Sequence, residues 1–175
     1  SKVVDAEGKP LIVYHGSRRR GISVFNGYEI TGWFAEKKDT ADAYDRGGGF
    51  YRVYLSIKNP LDLPFDMNDP LTARQVLEAV GMSTEGRSER LLDQPGVAWE
   101  TVNDSRFAEI AQRMGYDGIR VKEDGDVTWA AFSPEQIKSV NNRGTFNPND
   151  PRILYQSAPD PQENLFVVHN LSARG

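Results

Sequence analysis

The sequence predicts an α+β domain, on three observations. Strand-like apolar runs occur at residues 11–14, 50–57, 118–121 and 128–132. Helix-period segments lie between them, at 72–80 and from residue 103 or 104 to about 114. No Gly-x-Gly-x-x-Gly fingerprint follows any strand, which argues against a parallel dinucleotide-binding sheet. At 175 residues and 38% apolar content, one domain with a sizeable core is expected.

Each element has a local cause. Asp5-Ala6-Glu7-Gly8-Lys9-Pro10 reads as a turn that launches the first strand, 11–14. Residues 17–31 are polar and glycine-bearing, and they predict a long loop over a cleft. Trp33-Phe34 reads as strand and 40–45 as a short helical stretch, which Gly47-Gly48-Gly49 terminates. The run 50–57 alternates as a strand should, and Asn59-Pro60 stops it. Val76, Leu77 and Val80 fall at helical spacing after the Asp69-Pro70 start signal. Residues 83–95 are charged and aperiodic. Asn103 or Asp104 caps the next helix, with Phe107, Ile110, Ala111 and Met114 on one face. Two strands follow, joined by Lys122-Glu123-Asp124-Gly125-Asp126, with Glu123 and Asp124 expected at the loop tip. The domain is expected to end near residue 155, leaving 156–175 as linker or C-terminal extension, with 165–169 an extra strand or the entry to a neighbouring module.

Composition removes several function classes. A formal charge of −4, from 21 basic and 25 acidic residues, provides no global cationic field for nucleic acid or anionic membrane. Arg18-Arg19-Arg20 is the single basic run, read as a solvated loop tip. Without cysteine there are no disulfides and no thiolate zinc sites, and two distant histidines make no metal ligand set, so no metal is expected. No apolar stretch approaches membrane-spanning length and the start lacks a signal-peptide core, so a cytoplasmic site of action is expected.

The most informative segment is Val13-Tyr14-His15-Gly16-Ser17, followed by Gly32-Trp33-Phe34-Ala35 and then Tyr44. A flat cationic ring is best gripped between two aromatic faces. Trp33 at a strand end and Tyr44 on the following helix, eleven positions on, can face each other across a slot. His15 ends an apolar strand, where its polar tip can leave the core to meet a ligand. Gly16 lets backbone approach that ligand closely.

These motifs resemble the ADP-ribosyltransferases of the diphtheria toxin and poly(ADP-ribose) polymerase type. Tyr14-His15-Gly16-Ser17 matches their first motif, and Trp33-Phe34-Ala35 with Tyr44 matches the second. The third is matched by the segment from Thr128 through Trp129, Phe132 and Gln136 to Ile137, except that Thr128 stands where the family carries glutamate. A tighter resemblance is to the ADP-ribosyltransferase-like modules of phage and mobile-element polyvalent proteins, through the segment from Gly115 to Gly118 and an ending from Gln136 to Phe146. The resemblance covers residues 4–155, most loosely over 62–102.

The resemblance implies two packed, mainly antiparallel sheets with flanking helices and an NAD cleft between them. NAD is then a substrate rather than a hydride carrier. His15 is expected to donate to a hydroxyl of the adenosine-side ribose, Gly16 to pair through its backbone with the nicotinamide carboxamide, and Ser17 to add a hydroxyl contact. Trp33 and Tyr44 would sandwich the ring, with Phe34 behind. Thr128 can hydrogen-bond a ribose hydroxyl but supplies no charge; either it supports catalysis alone, or Asp126, two residues away on the same strand face, substitutes as the anion, with solvated turn chemistry the other reading of Asp126. The implied activity is transfer of one ADP-ribose to a macromolecular acceptor, protein in preference to nucleic acid, by a toxin- or effector-like monomeric module of a larger polypeptide in a bacterial host's cytoplasm. The alternatives are an NAD-binding module impaired by the missing glutamate, and an NAD glycohydrolase.

Overall fold

The computed structural model of the protein describes residues 1–17, 22, 24–25, 32–44, 47, 49–142 and 147–154. Among these residues seven strands carry the fold: β1 (Val13–Ser17), β2 (Trp33–Ala35), β3 (Gly49–Leu55), β4 (Pro60–Asp66), β5 (Gly118–Glu123), β6 (Asp126–Ala131) and β7 (Ile137–Ser139). Among the described residues five α-helices accompany them, α1 (Lys38–Asp42), α2 (Ala73–Ala79), α3 (Glu89–Leu92), α4 (Ala98–Val102) and α5 (Ser105–Arg113), with a 3-10 turn at Pro134–Gln136. The mixed α/β character agrees with the sequence expectation.

The strands hydrogen-bond in one order, β4-β5-β6-β2-β1-β3-β7, rather than as two separate sheets. The joint between the halves is narrow, because β1 and β2 share one paired position among the described residues, Tyr14 opposite Ala35. Beyond it β1 continues against β3 through His15, Gly16 and Ser17, while β2 turns to β6. Every pairing is antiparallel except β4 with β5. A parallel pair needs a long crossover, and α2 to α5 supply it.

Side-chain alternation sends the sheet's two faces to two apolar clusters. On one face Val76, Leu77, Phe107 and Ala111 of the crossover helices pack against Leu61, Ile119, Val121 and Ala130. On the other, Val13, Phe34, Val53, Trp129 and Ile137 pack together. Gly118 permits the close approach of β5 to its neighbours, since a Cβ there would lie 2.7 Å from the Ala130 carbonyl oxygen and 2.8 Å from Ile57 Cδ1.

Several sequence expectations shift. β3 ends at Leu55, short of the expected residue 57 and of Asn59-Pro60, and Pro60 opens β4, whose Leu61 and Leu63 face inward while Asp62 faces out. An edge strand tolerates proline because its outer N–H groups need no partner, and β4 is at the edge. The 72–80 helix forms where its spacing predicts, as α2, and the local start signal is the capping box of Thr72 with Gln75. Asp104 is the cap of α5, accepting from the Arg106 N–H. The 83–95 stretch contains the short helix α3. Tyr44 follows α1 in a turn instead of lying on the helix. Most of the 17–31 loop, Arg18-Arg19-Arg20, residues 143–146 and the whole of 156–175 lie outside the described residues.

Candidate active site

Where β1 and β2 part, a cavity of about 410 Å³ opens on one face of the sheet. Period-two geometry explains which side chains reach it. Tyr14 and Gly16 from β1, Trp33 and Ala35 from β2, Thr128 from β6 and Glu123 from β5 all line it. Thr40 and Ala41 of α1, then Tyr44, close one side, and Trp99 of α4 with Asn103 closes another.

His15 is held by its surroundings. Its Nδ1 lies 2.8 Å from the Trp33 carbonyl oxygen, which can only accept, so Nδ1 carries the proton. Burial lowers the imidazole's pKa from its ordinary value, against a smaller upward pull from that carbonyl. The ring is therefore neutral at pH 7, and Nε2 is an acceptor rather than a donor. Phe25 stands edge-on to the imidazole at 5.1 Å between centroids, and Phe34 lies tilted at 5.3 Å.

Trp33 is fixed from the other side. Its indole N–H donates to Asn103 Oδ1 at 2.8 Å, and Trp99 meets its ring edge-to-face at 5.1 Å. Tyr44 is 56% exposed, but its hydroxyl donates to Glu123 Oε1 at 2.9 Å. Desolvation of that hydroxyl end, then the hydrogen bond to Glu123 and the charge of Glu123 and Asp124, push the phenol up to about 12. It stays a protonated donor.

The carboxylates divide unexpectedly between the two candidate positions. Thr128 is buried, and its hydroxyl donates to Glu123 Oε2 at 3.2 Å. Asp126 accepts from the Lys37 N–H at 3.1 Å and from the Val127 N–H at 2.7 Å, and it does not line the cavity. It fastens the hairpin to the start of α1. Glu123 is the acid that faces the cleft.

The structure thus brings His15, Gly16, Trp33, Tyr44 and Thr128 to one cavity. It leaves three expected residues off the wall. Ser17 sits at the end of β1 opposite Gly49, and Phe34 is fully buried on the opposite face, where it backs His15. Asp126 is the third. Sequence reasoning missed Glu123, Trp99, Asn103, Thr40 and Ala41. The signal for Glu123 was present: Asp124 and Gly125, at φ 45° and 78°, form a two-residue turn of the Asp-Gly kind. Such a turn makes Glu123 the last strand residue, paired with Asp126, rather than a loop tip.

A family model described as ADP-ribosyltransferase in polyvalent proteins matches residues 5–146. The chain belongs to that family. Comparison with curated proteins returned no match. A solved structure titled "Crystal structure of an anti-CRISPR protein" is similar at 19% identity over 69% of this chain and 88% of that one, with a TM-score of 0.37. The family's matched region takes in every residue that lines the cavity. This ADP-ribosyltransferase domain presents no group of three or more metal-ligating side chains among the described residues. Nor is any described helix long and apolar enough to cross a membrane.

Proposed function

We propose that this domain transfers one ADP-ribose unit from NAD to a macromolecular acceptor and releases nicotinamide. The observation that carries the reading is the convergence of His15, Gly16, Trp33, Tyr44 and Thr128 on a single cavity in a chain of this family. At about 410 Å³ the cavity has the size of a small-molecule site.

Each side chain has a task suited to its geometry. Trp33 and Tyr44 offer aromatic faces to the cationic pyridinium ring, with Trp33 pinned by Asn103 and Trp99. Gly16 gives backbone access to the carboxamide. His15, neutral and with Nδ1–H engaged, accepts from a ribose hydroxyl through Nε2, which reverses the donor role expected from the sequence. Cleavage of the nicotinamide–ribose bond develops positive charge on the sugar, so the protein's work is orientation and electrostatics.

The proposal extends to setting. Membership of a polyvalent-protein family supports a module of a larger polypeptide; we propose further that it is a toxin- or effector-like, monomeric module of a phage or mobile element, acting on a protein in the cytoplasm of a bacterial host. The domain would occupy residues 1–155, with 156–175 as linker or C-terminal extension. Thr128 in place of the family's glutamate favours one competing reading, an NAD-binding module without turnover. An NAD glycohydrolase is the other.

Incubation with NAD labelled in the adenylate half and a bacterial lysate separates the three. Transfer predicts protease-sensitive label on macromolecules together with free nicotinamide. Free ADP-ribose without labelled acceptor would make it a glycohydrolase, and calorimetric NAD binding with no nicotinamide at any enzyme concentration would make it a binding module.

A further inference from the structure

We propose that Glu123 is the catalytic carboxylate of this domain, delivered to the cleft from β5, the strand next to the one that carries Thr128. The inference rests on the NAD reading above and assigns the charge that reading leaves unsupplied.

Three observations carry it. First, Glu123 is buried at 8% exposure yet lines the cavity. A carboxylate is rarely placed so deeply without a paired or functional reason. Among the described residues no salt bridge involves it; its partners are two hydroxyls, those of Thr128 and Tyr44. Second, register brings it to the right place. Val121 pairs with Thr128 and Glu123 with Asp126, so Glu123 and Thr128 are diagonal neighbours on one face. Diagonal side chains of this kind lie about 7–8 Å apart at the backbone, within reach of a glutamate. Third, the contacts leave acceptor capacity. Each carboxylate oxygen takes one hydroxyl donor and has a further lone pair for a substrate hydroxyl.

Thr128 and Tyr44 are then positioning residues toward this acid. Thr128 holds one oxygen from the sheet, and Tyr44 holds the other from the rim where its ring meets the nicotinamide. The carboxylate and the aromatic grip are thereby linked through one hydrogen bond.

The chemistry balances with no further reagent. Breaking the ribose C1′–nitrogen bond sends its electron pair to the nicotinamide ring nitrogen, which neutralises the pyridinium. Glu123 accepts from a ribose hydroxyl and faces the positive charge that develops at C1′. The acceptor's lone pair closes on C1′, and Glu123 takes the proton that the acceptor loses and passes it to water.

Nicotinamide release and NAD titration on the intact chain and its variants test this. Glu123→Gln keeps the size and hydrogen-bonding reach of the side chain but removes the charge. Its turnover is expected to fall about 10²–10³-fold with NAD affinity within about threefold of the parent. Thr128→Glu in the Glu123→Gln background moves the acid one strand over and is expected to recover at least about tenfold, which a merely structural role would not allow. Tyr44→Phe keeps the ring and lowers kcat several-fold with KM little changed. Where Glu123→Gln does not fold, Tyr44→Phe carries the test alone, since kcat equal to the parent overturns the arrangement. Full activity in a folded Glu123→Gln chain overturns the inference and leaves NAD turnover standing. A parent chain that binds NAD without releasing nicotinamide also overturns it, whereas a parent that binds no NAD removes the underlying reading.

Discussion

His15 shows how one side chain's chemistry is decided by its neighbours. The Trp33 carbonyl fixes which nitrogen carries the proton, and burial keeps the ring neutral. On the proposed function, NAD affinity stays flat through the ordinary imidazole range near 6.5 and falls only as the pH drops through the lowered folded-state value, because a protonated Nε2 can no longer accept. The same sign holds for folding. With the folded-state pKa lowered, the unfolded chain takes up the proton first, so His15 destabilises the fold progressively as pH falls from about 6.5 towards that lowered value. Titrating NAD calorimetrically between pH 5 and 8 checks the binding half, and His15→Ala should abolish the pH dependence along with most of the affinity. A histidine after an apolar strand was legible as a residue of the cleft wall; which ring nitrogen carries the proton was not, because that depends on a carbonyl eighteen residues away.

The β5–β6 hairpin is where sequence and structure part most instructively. Asp126 and Thr128 do share a strand face with Glu123, as a period of two requires. What spacing alone does not reveal is that the start of α1 claims the Asp126 carboxylate through the Lys37 N–H. Asp126→Ala is therefore expected to cost about 1–3 kcal/mol of stability, from orphaned donors, with turnover per folded molecule preserved. Urea melts paired with nicotinamide release separate the two effects. Gly118→Ala belongs to the same element: a methyl group 2.7 Å from the Ala130 oxygen forces β5 off its neighbours, at about 1–3 kcal/mol in the same melts. The elements that spacing did not reveal are short or disguised. Pro60 and Pro64 conceal β4, which its edge position allows, and α3 and β7 are too brief to carry a period. Trp99 and Asn103 reach the cleft only because the crossover folds back over the sheet, a tertiary event with no local signature.

Across the whole molecule, the narrow joint between β1 and β2 ties fold to function. Among the described residues, seven strands in one order are held at that joint by a single backbone pair, Tyr14 with Ala35, and by the imidazole bridge from His15 to Trp33. On the proposed function a ligand seated there lies against both halves of the sheet, and because it binds the folded chain and not the unfolded one it stabilises the fold by mass action. At NAD a hundredfold above its dissociation constant the gain is about 2.7 kcal/mol, or about 5–10 °C in Tm for a domain of this size. Trp33→Ala should remove most of that shift. The mixed α/β class and five of the cavity's residues were legible because alternation and motif spacing are local. The order of the strands, and with it the neighbour that brings an acid to Thr128, is set by long-range pairing. The most direct measurement of the central claim is nicotinamide release from NAD by the parent chain beside His15→Ala and Trp33→Ala. The account predicts enzyme-dependent release by the parent and near-complete loss in both variants; equal release by all three, or none by a parent that fails to bind NAD, contradicts it.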